Sequence, residues 1–150
     1  MAQPIAPSVP TGPDLQKRNA IAIIVYGSTF DLAMMPMIIA QGALASGMEV
    51  SIFYTFLGLP ALKKSFRPKM PGMWRPFTGM MERKMRRQGI PLYHKMMRDN
   101  IDGGAKVYAC NTSMELMGYK KEDLIDGCAV AGVAGFLDMA ATATTQLAIG

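Results

Sequence analysis

An α/β domain organised on a mainly parallel, five-stranded sheet is the fold class the sequence predicts, on three observations. Two near-continuous apolar runs, residues 19–26 and 49–55, flank a helical stretch, the order of a strand–helix–strand unit with a right-handed crossover. A third short run of β-branched and aromatic residues, 105–109, leads straight into the helix-capping residue types Asn111, Thr112 and Ser113. Turn, strand, helix and strand follow again over residues 126–149. With 150 residues, 50% of them hydrophobic, the chain has the apolar material for one domain with a sizeable core.

Residues 1–17 are rich in proline and small side chains and bury too little to order themselves, so a flexible arm is expected ahead of a single domain over 18–150. They lack the apolar stretch of a secretory signal. The run 19–26 ends in Gly27 and Ser28, as a strand buried on both faces does. The helix over 31–46 has apolar residues at Leu32, Met35, Ile39 and Ala43, Asp31 as a cap and Gly47 as a stop, with Pro36 marking a kink or a later start. The second strand, 49–55, gives way to a short helix from Phe56 and then to an irregular stretch broken by Pro68, Pro71, Gly72 and Pro76.

Residues 60–100 form an insertion rich in methionine and basic residues. A helix over 77–88 carries Met80, Met81 and Met85 beside Arg83, Lys84, Arg86 and Arg87, and a second follows Pro91 to about Ile101. A lid, an oligomer contact or a membrane-surface patch would suit the insertion; the plainer reading is an amphipathic segment packed on its own sheet. The helix over 133–145 is built of small residues, followed by a strand at 146–149. Residues 128–150 are mostly uncharged, but Asp138 in their middle argues against a membrane span.

The candidate chemistry lies at Cys110. It stands where a strand meets a helix N-terminus, whose unpaired N–H groups and dipole favour thiolate over thiol, and the thiolate is the nucleophile. The bland alternative is a small buried cysteine that only packs. Asn111, Thr112 and Ser113 are the residues placed to stabilise extra negative charge on its sulfur. Glu115, three beyond Thr112, has capping-box spacing. Cys128 lies 18 residues on, on the adjacent predicted strand, as a second acceptor, a resolving thiol or an inert residue. Two cysteines and no signal point to a reducing cytoplasm. His94 is the sole histidine and Cys-x-x-Cys is missing, so no metal site is expected; G-x-G-x-x-G and G-x-x-x-x-G-K are missing too, which leaves a flavin- or nucleotide-binding reading without a phosphate motif. A net charge of +5 suits an anionic substrate or an acidic partner and does not itself indicate nucleic acid.

The segments Ile52-Phe53-Tyr54-Thr55-Phe56-Leu57-Gly58-Leu59, Val107-Tyr108-Ala109-Cys110-Asn111-Thr112-Ser113-Met114 and Met117-Gly118, then Asp123-Leu124-Ile125-Asp126-Gly127-Cys128 and Val130-Ala131-Gly132-Val133-Ala134, occur in one order. In that pattern the chain resembles the DsrE/DsrF-like family of sulfur-trafficking proteins, in particular its DsrE-type sulfur carriers, over about residues 19–150. The resemblance implies a flavodoxin-like three-layer α/β/α sandwich, usually in a homo-oligomer. It maps the sulfur-carrying cysteine, a persulfide or thiosulfonate, onto Cys110, with a less secure second cysteine at Cys128. It also implies a sulfur carrier or sulfurtransferase without cofactor, exchanging sulfur with TusA-like carriers, rhodanese-type donors and small anionic sulfur species. Lys63, Lys64, Arg67 and Arg83 could draw such anions in, or be solvated surface charges. The competing reading is a non-catalytic, oligomeric binding module in which Cys110 is structural.

Overall fold

The computed structural model describes residues 18–150; the arm expected over 1–17 lies outside the described residues. The chain runs β1 (Arg18–Val25), α1 (Phe30–Ala45), β2 (Glu49–Tyr54), 3₁₀ turns at Phe56–Leu62 and Gly72–Phe77, α2 (Thr78–Arg87) and α3 (Tyr93–Asp102). It continues through β3 (Lys106–Cys110), α4 (Asn111–Met117), a 3₁₀ turn at Lys121–Asp123, β4 (Cys128–Ala131), α5 (Val133–Thr142) and β5 (Ala143–Ile149). The five strands form one sheet in the order β4-β3-β2-β1-β5, and every pairing is parallel.

That order dictates the layers. From β1 through β4 each strand is added on the same side of the last, so right-handed crossovers put the connecting helices on one face. The connection from β4 to β5 runs back across the sheet and lays α5 on the other. The core divides accordingly. Ile21, Ile23, Val25, Ile52, Tyr54 and Val107 face Met34 and Met37 of α1, Met96 and Met97 of α3 and Met114 of α4. Ala20, Ala22, Phe53 and Cys110 face Phe136 and Ala140 of α5. The result is the expected three-layer α/β/α sandwich, with helices on both sides as an all-parallel sheet requires.

Several local expectations are corrected. The inward stripe of α1 is Ala33, Met34, Met37, Ala40 and Ala43, whereas Met35 is half exposed. The helix is apolar nearly all round, so spacing alone does not choose its buried side. Pro36 lies within α1 without ending it. β5 begins at Ala143, earlier than expected, since Thr144 and Thr145 suit an extended backbone. The insertion behaves as two parts: α3 packs on α1, while the 72–77 turn and α2 keep only Met85 buried. No helix among the described residues is long and apolar enough to cross a membrane.

Candidate functional site

Cys110 is the last residue of β3, paired with Ala131, and also the residue that caps α4, with extended dihedrals of φ −68° and ψ 120°. The helix therefore starts at Asn111, and the Cys110 side chain makes no capping hydrogen bond to it. The capping box expected from Thr112 and Glu115 does not form, because the strand hands over directly to the helix. Gly118 ends α4 at φ +66°, the left-handed conformation glycine adopts without cost.

Cys110 is 2% exposed, and its side chain faces the α5 layer, among Ala22, Phe53 and Phe136. The Phe53 and Phe136 rings stack 5.0 Å apart and form an apolar wall of this layer. Burial pushes the thiol up. The hydroxyl and N–H of Ser113, the hydroxyl of Thr55 and the N–H of Thr112 pull the other way and leave Cys110 below the ordinary cysteine value.

Ser113 is 2% exposed and Thr55 8% exposed, and their hydroxyl oxygens lie 3.0 Å apart. Ser113 Oγ accepts the Phe56 N–H at 3.0 Å. A hydroxyl has one donor and two acceptor sites. If Thr55 donates to Ser113, both acceptor sites of Ser113 Oγ are filled and its own O–H is free to turn toward the sulfur. Phe56 makes its bond from φ +43°, the only positive φ of a non-glycine residue among the described residues. Gly58 secures the bend that follows: a Cβ there would lie 2.3 Å from the Val25 carbonyl oxygen.

Of the three residues expected to stabilise charge, the structure brings Ser113 and the backbone N–H of Thr112 to Cys110. The Asn111 and Thr112 side chains face solvent, and Asn111 Oδ1 accepts the Thr112 N–H at 2.8 Å. Thr55 and the Phe56 N–H were not singled out by sequence reasoning. The available signal was a hydroxyl residue immediately beyond an apolar strand, at the carboxyl edge where ligands of open α/β sheets bind.

Cys128 is not near Cys110. It opens β4 opposite Val107, three positions before the Cys110–Ala131 pair, and an odd offset reverses the face. Cys128 packs on the α1–α3 side while Cys110 packs under α5, so the sheet separates the two thiols. Burial raises the Cys128 thiol to about 11, with the Ala109 backbone and Lys121 opposing the shift. Both cysteines are free.

The basic residues expected to steer anions are spread out. Lys63 sits 4.6 Å from the Tyr119 ring centroid, and Lys64 pairs with Asp126 at 3.9 Å. Arg67 lines a cavity of about 260 Å³ with His94 and Glu82. His94 is held by Nε2–H donation to the Phe66 carbonyl, since a carbonyl can only accept.

Two solved structures share this fold at low sequence identity. The protein of unknown function MTH1491 from Methanobacterium thermoautotrophicum superposes with a TM-score of 0.63 at 10% identity, covering 86% of this chain and 97% of that one. The ychN protein of E. coli gives 0.62 at 14% identity, covering 87% and 99%. By sequence, the chain is 30% identical over 149 residues to the sulfur carrier protein DsrE2 of Allochromatium vinosum, covering 83% of this chain and 94% of that protein. It is 31% identical over 158 residues to the uncharacterized protein YrkE of Bacillus subtilis, covering 89% and 99%. A profile of the DsrE/DsrF/DrsH-like family matches residues 17–73 and 66–148. The chain belongs to the DsrE/DsrF/DrsH-like family.

Proposed function

We propose that this protein is a sulfur carrier that holds sulfane sulfur or a thiosulfonate on Cys110 and passes it to a partner protein. The observation that carries this reading is a thiol held below its ordinary value inside an apolar layer, beside the hydrogen-bonded pair of Ser113 and Thr55 hydroxyls. A relative that is a sulfur carrier supports it. In the loading step the Cys110 thiolate attacks the outer sulfur of a donor persulfide, R–S–SH. The new S–S bond forms as the donor's S–S bond breaks, giving Cys110–S–SH and the thiolate R–S⁻. An acceptor thiolate reverses the step, so nothing is oxidised or reduced overall. With tetrathionate the thiolate attacks an inner sulfur and thiosulfate leaves, so that Cys110–S–S–SO₃⁻ remains. Such exchange needs only a good nucleophile and a good leaving group, without metal or organic cofactor.

Cys128 takes no part in these steps, being on the other face with its thiol raised. A TusA-like acceptor and a rhodanese-type donor in the cytoplasm fit the reading, as does self-association through the outer face of α5, where Val133 and Leu137 are exposed. The competing reading of a binding module with a structural cysteine draws on the 2% exposure of Cys110. Cyanolysis separates the two: protein treated with polysulfide and then cyanide is expected to release about one thiocyanate per chain. Release should persist in Cys128→Ser and vanish in Cys110→Ser; equal release from Cys110→Ser would refute the assignment.

A further inference from the structure

The 72–77 turn and α2 carry a surface that sulfur exchange at Cys110 does not use. Met73 is 90% exposed, Trp74 and Met80 63% each, and Phe77 47%. The Trp74 and Phe77 rings stand 5.7 Å apart. Phe77, Met80, Lys84 and Arg87 succeed one another at three- and four-residue spacing, with Arg83 three beyond Met80, so one outward face runs from apolar to basic. Met85 alone is turned inward. Residues 67–87 hold seven basic side chains against Glu82, a balance of +6. The whole chain carries +5, so the other residues, nine basic and ten acidic, sum to −1. Among the described residues none of these seven is in an ion pair. The excess positive charge of the molecule is thus concentrated beside its one tryptophan and the most exposed methionines among the described residues.

We infer that this face docks on an anionic phospholipid bilayer. Trp74, Phe77, Met73 and Met80 enter the headgroup region, and Arg75, Arg83, Lys84 and Arg87 lie against the lipid phosphates. Aromatic and apolar side chains backed by basic residues are the pattern of interfacial attachment, which needs both burial and charge attraction. A second copy does not complement the face, because its own counterpart carries the same +6. The surface is a projecting turn and helix rather than a groove, which suits a deformable bilayer better than a rigid protein pocket.

Trp74 is the only tryptophan, so its emission reports this face alone. Full-length protein would be titrated with phosphatidylcholine vesicles and with vesicles containing phosphatidylglycerol, following emission and co-sedimentation. A blue shift and sedimentation with the phosphatidylglycerol vesicles only, weakened by salt, is expected. Arg83→Gln with Arg87→Gln should lower that affinity roughly 25-fold, and Trp74→Ser with Phe77→Ser should abolish sedimentation. The four side chains are exposed, so far-UV circular dichroism should be unchanged. No blue shift on anionic vesicles, equal binding to both vesicle types, or binding unaffected by the arginine changes would overturn the inference. A shift with polyglutamate but not with vesicles would also overturn it, in favour of an acidic protein partner.

Discussion

At the scale of single residues, Cys110 combines near-inaccessibility with a thiol held below its ordinary value. Desolvation disfavours the thiolate of Cys110, and the hydrogen-bonded Thr55–Ser113 hydroxyl pair with the N–H groups of Ser113 and Thr112 outweighs it. Thr55→Val, which keeps the shape and removes the hydroxyl, should raise the Cys110 thiol and slow its alkylation at neutral pH about tenfold, the size of one hydrogen bond to a charged group. Thr55→Ser should restore the rate. The readout is the pH profile of alkylation in the Cys128→Ser background, which a purely structural role would leave in place. Cys128 makes an opposite prediction about stability. Its thiol is raised when folded, so its contribution is complete below the ordinary cysteine value and is lost as pH rises toward about 11. Melting temperature should therefore fall on the alkaline side, and fall less in Cys128→Ser.

At the scale of elements, two supports hold the site. Gly58 lets the 3₁₀ turn after β2 approach the Val25 carbonyl, and that turn carries the Phe56 N–H to Ser113. Gly58→Ala should cost about 1–3 kcal/mol by overpacking, and it should slow Cys110 alkylation as the turn shifts. Phe136 of α5 is the other support. Phe136→Ala should cost about 3 kcal/mol or more, measured by chemical denaturation, and should speed native alkylation of Cys110 by loosening its cover. Most of these elements were legible in the sequence. The strand runs are apolar on both faces, and the junction at Cys110 reads directly from Val107 through Ser113. What the sequence withheld came from contacts distant in the chain. The Thr55–Ser113 pair spans 58 positions, and α1, apolar all round, gave no sign of which side it buries. The Thr112–Glu115 spacing points to a capping box that does not form, because spacing alone cannot tell that Cys110 ends the strand and caps the helix at once.

At the scale of the whole molecule, strand parity decides how many cysteines can cooperate. Both strands were expected to be neighbours and are. The order of residues along them, however, sets Cys110 and Cys128 on opposite faces of a continuous sheet. A disulfide needs Cα atoms within about 4.4–6.8 Å and Cβ atoms turned toward each other, so diamide treatment should give no intramolecular disulfide, read as an unchanged intact mass. On the function proposed above, the same separation leaves Cys110 to carry sulfur without Cys128. The most direct test is intact-protein mass spectrometry without reductant after exposure to polysulfide and, separately, to tetrathionate. Wild type and Cys128→Ser should gain sulfur or a thiosulfonate group alike, and Cys110→Ser should gain neither. An adduct that survives in Cys110→Ser, or one lost in Cys128→Ser, would contradict a single-cysteine carrier.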